Sequence, residues 1–173
     1  MWSVLEPWAR PSDPPDRNPV NPIPPEPHSL IMSLFSRDRV LVPTDFSAPA
    51  HWVVENARTL VAEPSHLHVL HVLPHLNPGE PGVRWQTINN STRTAHIHQE
   101  FQRRYGDPVY GGVVFQVAIG DPCQQITTYA KAQAITLIVI PSHGRKGLSH
   151  FFLGSVAERV TRLAPCPVLI IKR

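Results

Sequence analysis

Residues 137–173 read LIVIPSHGRKGLSHFFLGSVAERVTRLAPCPVLIIKR. Two apolar runs, Ile135–Ile140 and Val168–Ile171, bracket a polar loop and an amphipathic stretch striped by Val156, Ala157, Val160 and Leu163. Short continuous apolar runs are expected of strands covered on both faces, and such a stripe of a helix covered on one. The loop carries Gly144 and Gly147, and the helix is expected to open on Gly154-Ser155. A helix leaves its first backbone N–H groups unpaired and carries partial positive charge there, so this order of elements can build an anion site.

The same alternation continues toward the N-terminus. Arg39–Thr44 (RVLVPT) reads as a first strand, and Ser47 with Pro49 marks a helix start. Val53, Val54, Ala57, Leu60 and Val61 form that helix's buried stripe. Leu67–Leu73 is a second strand. A loop with Pro74, Pro78, Gly79, Pro81 and Gly82 leads to a more polar helix predicted over roughly 86–105, striped by Ile97, Phe101 and Tyr105. Gly111-Gly112 opens a third strand in which Val113, Phe115, Val117 and Ile119 alternate; Asp121 and Pro122 then cap and start a helix. Strands alternating with helices predict an α/β fold, a doubly wound five-stranded parallel sheet with helices on both faces.

At 173 residues and 42% hydrophobic, the chain can bury one real core. Residues 1–31 hold nine of the twenty prolines and few apolar side chains, so 1–36 is expected to be a proline-rich disordered tail and 37–173 the folded domain. PxxP spacings at Pro11–Pro14 and Pro22–Pro25 fit an aromatic groove, although a solvated tail is the plainer expectation. Met32 falls just before the first strand, and translation is expected to start there.

No run reaches the ~18 to 20 apolar residues of a membrane span, and no basic segment precedes an apolar one as in a secretory signal. Two cysteines, Cys123 and Cys166, fit a reducing compartment better than a disulfide framework. A cytoplasmic protein without membrane contact is the expectation. The formal charge is +3; Arg10 and Arg17 against Glu6, Asp13, Asp16 and Glu26 leave the tail acidic, so the remainder is more basic, with Arg145 and Lys146 beside the glycine loop. That balance suits a small anionic ligand. A dense Lys/Arg stripe with interleaved aromatics is missing, so nucleic acid is not an expected partner.

In doubly wound sheets a ligand binds beyond the carboxyl ends of the strands, where strand order reverses. Thr44-Asp45 and Ser142-His143-Gly144 should therefore share one crevice. Asp45 can accept from a ribose hydroxyl or an adenine edge, or make an Asx turn that starts the first helix. Gly144, Gly154 and Ser155 are phosphate candidates, or else turn residues and an N-cap. Neither GxxxxGK[ST] nor GxGxxG occurs, which excludes a P-loop and the dinucleotide fingerprint. His66, His68, His71 and His75 crowd the second strand; a zinc site would need a third ligand, so a surface or strand-end cluster without metal is expected. His143 either approaches a phosphate or braces its loop. Cys123 sits in a helix's first turn, but lacks a matched histidine–aspartate set, and Cys166 between two prolines reads as a small buried residue. With no evident general base or Mg²⁺-holding carboxylate pair, an enzyme is not expected.

Pro141-x2-Gly144-x9-Gly154-Ser155 and the following VAERVTRLAPCPVLII resemble the universal stress protein family. VPTDFS (Val42–Ser47), LHVLHV (Leu67–Val72) and IGDPCQQI (Ile119–Ile126) extend the resemblance over nearly all of 38–173. The resemblance implies the strand order 3-2-1-4-5. It implies ATP or another adenine nucleotide, with or without Mg²⁺. Adenine and ribose would lie near Asp45, Val72 and the Ile140–Pro141 junction, and phosphates at Gly144, Gly154 and Ser155, with Thr44 and His143 completing the expected nucleotide-binding set; weak ATP hydrolysis or autophosphorylation is the most activity the resemblance implies. It also implies a homodimer through Val168–Ile171. Nucleotide-binding members carry glycine where this chain has Pro141; proline lacks the N–H and adds a ring, and one lost hydrogen bond costs a net ~0.5 to 1.5 kcal/mol. The alternative expectation is a dimeric interaction protein of the same family that binds no nucleotide.

Overall fold

The apolar runs form strands β1 (Val40–Thr44), β2 (Leu67–Leu73), β3 (Val114–Ile119), β4 (Leu137–Pro141) and β5 (Val168–Ile171) in a computed structural model. The structure describes residues 37–77, 79, 89–143 and 153–172. All neighbouring strands pair in parallel, in the order β3-β2-β1-β4-β5. Central β1 is buried along its whole length, as both-face coverage demands, whereas edge strand β5 contains half-buried and exposed residues.

Among the described residues four helices supply that coverage: α1 (Ala48–Ala57), α2 (Asn90–Tyr105), α3 (Pro122–Ala132) and α4 (Ser155–Leu163). Alternate strand residues point to opposite faces. Val40, Val42, Leu67, Val69, Leu137 and Val139 pack against α1 and α2, and Leu41, Leu70, Ile138 and Ile140 against α3 and α4. Three helix starts are fixed by side-chain caps. Ser47 accepts from the Ala50 N–H at 3.4 Å, Asp121 from Gln124 at 3.0 Å, and Asn89 with Thr92 makes a capping box.

Several boundaries differ from the sequence expectation. The Asn89 capping box starts α2 at Asn90; residues 80–88 lie outside the described residues. Helix α1 ends at Ala57, where a 3₁₀ turn (Arg58–Leu60) takes over, although Leu60 and Val61 still pack on the core. Strand β3 starts at Val114. Strand β4 runs later than Ile135–Ile140, because α3 ends in a left-handed turn: Ala134 has φ +49° and the Ile135 N–H returns to the Ala130 carbonyl at 2.9 Å. Leu163 is 52% exposed, not buried; Ala164 and Cys166 pack against that core instead. The 1–36 tail, Met32, Pro78, Pro81, Gly82 and residues 144–152 (hence Gly144, Arg145, Lys146 and Gly147) lie outside the described residues. Among the described residues, no helix is long and apolar enough to cross a membrane.

Candidate functional site

Strands β1 and β4 pair only at Val40↔Leu137 and Leu41↔Ile138, and then part. The reason is visible in the backbone. The Leu137 N–H donates toward β1, to the Arg39 carbonyl at 3.3 Å. Ile138 and Ser142 donate toward β5, to the carbonyls of Pro167 (3.0 Å) and Ile171 (2.8 Å). Successive strand residues face alternate neighbours, so Pro141 turns its nitrogen toward β1, and Pro43, four residues after Arg39, turns its own toward β4. Neither proline has a hydrogen to donate. The two positions whose N–H groups would carry the ladder onward are thus both proline, and it ends where the strand order reverses.

The β1 rim of this split is a tight loop. The Phe46 N–H donates to Thr44 Oγ1 at 3.1 Å, and the Ser47 N–H to Asp45 Oδ1 at 2.9 Å. Asp45 therefore makes the Asx turn that starts α1 and stays half-buried. Phe46 lies in the left-handed region at φ +59°, rare for a bulky residue. His71 Nδ1 meets the Thr44 carbonyl at 2.8 Å; a carbonyl only accepts, so Nδ1 carries the proton. Arg104 Nη1 donates to the Phe46 carbonyl at 2.9 Å, while its Nε holds Glu100 at 2.6 Å. Hydrogen bonds from Arg103 and Arg104 bring the Glu100 carboxyl down to about 2.

The β4 rim is equally tied. Buried Ser142 accepts the Gly154 N–H on its carbonyl at 2.8 Å, and its Oγ lies 3.0 Å from His143 Nδ1. His143 Nε2 is buried without a hydrogen-bond partner among the described residues. Gly154 is the N-cap of α4, and a Cβ there would sit 3.0 Å from the Ser142 carbonyl oxygen. Among the described residues no side chain caps α4, and the N–H groups of Ser155, Val156 and Ala157, in its first turn, have no intrahelical acceptor. A cleft of about 50 Å³ opens beside this rim, walled by Pro49 and Trp52 of α1 and by Pro141, His143 and Ile171.

Thr44, Asp45, Ile140, Pro141, His143, Gly154 and Ser155 thus all lie at the carboxyl ends of β1 and β4 or at the start of α4. Val72, near the end of β2, is half-buried against the α3/α4 core. Gly144 lies outside the described residues. Pro43, Phe46 and Arg104 shape the site and were not singled out from sequence, and His71, which also shapes it, was named only as part of the second-strand histidine cluster. The motif VPTDFS held the first two, whereas the pairing of Arg104 with a residue 58 positions earlier leaves no local signal.

The histidine expectation needs correction. His68 and His71 are buried, His66 lies in the 3₁₀ turn before β2, and His75 is exposed. His68 Nδ1 meets Tyr129 Oη at 2.9 Å on one face of the sheet, and the His71 ring lies tilted against Phe46 on the other. Burial, then the nearby charge of Arg39, lowers the His68 pKa. Among the described residues no three His, Cys, Asp or Glu side chains gather as a metal site. Cys123 is buried; Cys166 is half-buried, and that burial pushes its thiol up.

Residues 36–172 match the sequence profile of the Universal stress protein family. The chain belongs to that family. Universal stress protein MJ0577 of Methanocaldococcus jannaschii is 27% identical over 155 residues, covering 78% of this chain and 94% of that protein. Universal stress protein YxiE of Bacillus subtilis is 44% identical over 55 residues, 32% of this chain but only 37% of YxiE. In structure, MJ0577 superposes with a TM-score of 0.64 at 24% identity, covering 81% of this chain and 97% of its own. Two further neighbours hold adenine nucleotides. A universal stress protein in complex with cAMP has a TM-score of 0.56 at 18% identity, covering 78% of this chain and 96% of its own. An Arabidopsis thaliana family member with AMP bound has 0.50 at 21%, covering 78% and 91%.

Proposed function

We propose that this universal stress protein binds an adenine nucleotide across the β1–β4 split and works in the cytoplasm as a ligand-responsive module, not as a metabolic enzyme. The observation that carries the reading is the start of α4, without a side-chain cap among the described residues and drawn onto Ser142 by Gly154 at the point where the sheet divides. Unpaired N–H groups at a helix start favour anionic oxygen. The cAMP and AMP complexes of its structural neighbours support an adenine nucleotide in particular.

The residues fit such a ligand. Gly154 spends its own N–H on Ser142, so the phosphate donors are the N–H groups of Ser155, Val156 and Ala157 with the Ser155 hydroxyl. In the tautomer whose Nδ1 accepts from the Ser142 hydroxyl, His143 Nε2 is a further donor, and it has no acceptor among the described residues. Ribose and base lie toward Asp45 and Pro141, where the proline ring offers an apolar surface in place of a donor. ATP with Mg²⁺, ADP, AMP and cAMP are the ligands to compare.

Denaturing freshly purified protein and identifying released nucleotides by mass spectrometry is the first test, followed by calorimetric titration of stripped protein. Stoichiometric adenine nucleotide, or micromolar affinity (about −8 kcal/mol) abolished by Gly154→Val, is the expected result. An empty protein that gives no heat with any of the four overturns the reading.

A second reading, a homodimer that acts through protein partners, is favoured by strand β5. It is a sheet edge on which Leu169 is 38% exposed, with 52% exposed Leu163 just before it. An unpaired apolar edge invites pairing with a second copy. The two readings are compatible, and light scattering tests the dimer.

A further inference from the structure

We infer that Arg104, with Glu100 and His71, is a positioning residue for the nucleotide site: it clamps the β1–α1 loop from the far end of α2 and holds Asp45 ready for ligand. The inference rests on the nucleotide reading given above.

The loop is built against its own preference. Phe46 takes φ +59° directly after Asp45, a conformation that a bulky side chain adopts only when its surroundings enforce it. Four contacts do the enforcing. The Phe46 carbonyl accepts from Arg104 Nη1 at 2.9 Å, and the guanidinium carbon sits 5.4 Å from the centre of the Phe46 ring. The Phe46 ring lies 5.0 Å from the His71 ring, whose Nδ1–H is given to the carbonyl of Thr44, two residues before Phe46. The Phe46 N–H is held by Thr44 Oγ1. Arg104 is itself held by Glu100, four residues before it on α2, so its fork is spent on one carboxylate and one loop carbonyl.

None of these groups needs to touch the ligand. What they fix is the loop between Thr44 and Ser47, and with it the Asx turn of Asp45. A loop already ordered before binding loses less entropy when ligand arrives, so affinity depends on the clamp. Lysine at 104 cannot replace it, because a single ammonium on a flexible stem does not span carboxylate and carbonyl in one fixed plane.

The experiment compares wild type with Arg104→Met, Arg104→Lys and Glu100→Gln. It measures AMP and ATP affinity by calorimetry, melting temperature, and amide hydrogen exchange at Phe46 and Ser47 without ligand. Arg104→Met and Arg104→Lys are expected to weaken binding about tenfold, the scale of a lost hydrogen bond from a charged donor. Exchange at both amides should quicken. Glu100→Gln keeps an acceptor for Arg104, so a smaller loss is expected, and it serves if Arg104→Met does not fold. Unchanged affinity with a lowered melting temperature would mean a purely structural residue and overturn the inference. Should wild type bind no nucleotide, the reading beneath the inference fails; unchanged exchange at Phe46 and Ser47 would independently sink the clamp.

Discussion

Proline inside a sheet ordinarily deletes a ladder hydrogen bond, yet Pro43 lies in the central strand and Pro141 beside it. Both face the same gap, where deletion opens the site instead of weakening the sheet. Pro141→Ala should therefore leave the sheet intact and lower stability by only about 0.4–1 kcal/mol, through added freedom of the unfolded chain. Nucleotide affinity should rise about threefold to tenfold, since an N–H now faces the split. Denaturant unfolding and calorimetry measure both; a gain in stability would mean that the N–H has closed onto β1. At His68 the prediction concerns pH. Its folded pKa lies below the ordinary 6.5, so the unfolded chain takes up its proton first. The contribution of neutral His68 is fully present above about pH 6.5 and is lost as pH falls from there toward the lower folded pKa. Melting temperature between pH 8 and pH 5 should consequently fall less in His68→Gln than in wild type.

Helix stripes were legible from periodicity, but their ends depended on tertiary packing. Val156, Ala157, Val160 and Leu163 share one helical face, yet the chain leaves α4 at Leu163 and turns Ala164 inward in its place. Ile126 of α3 is 1% exposed and wedged between sheet and α4. Ile126→Ala should cost about 2–5 kcal/mol by denaturant unfolding, whereas Leu163→Ala should stay within about 0.5 kcal/mol. Of the helix starts, α4 depends on a bare backbone contact. Gly154→Ala places a Cβ 3.0 Å from the Ser142 carbonyl oxygen, and neither backbone group can swing aside. A loss of about 1–3 kcal/mol is expected in the same assay.

For the molecule as a whole, the sheet has one edge at β3 and the other at β5. Leu169→Lys on β5 puts a charge on the edge without touching the β1–β4 split. If β5 pairs two copies, light scattering should show monomer for this variant and dimer for wild type, with nucleotide binding retained. A dimer that survives the charge would assign the interface to another surface.

Sequence alone determined the alternation of strands and helices, the parallel sheet, and the end of it at which Asp45, His143, Gly154 and Ser155 would gather. Those follow from hydrophobic period, capping residues and the reversal rule, all local or topological properties. Tertiary structure alone decided that Pro43 and Pro141 both turn their nitrogens into the β1–β4 gap, that His68 and His71 are buried on opposite faces, and that Arg104 reaches back to Phe46. Each depends on how elements far apart in sequence pack, β1 beside β4, β2 against α3 and the β1–α1 loop, and α2 over that loop, which no local pattern encodes.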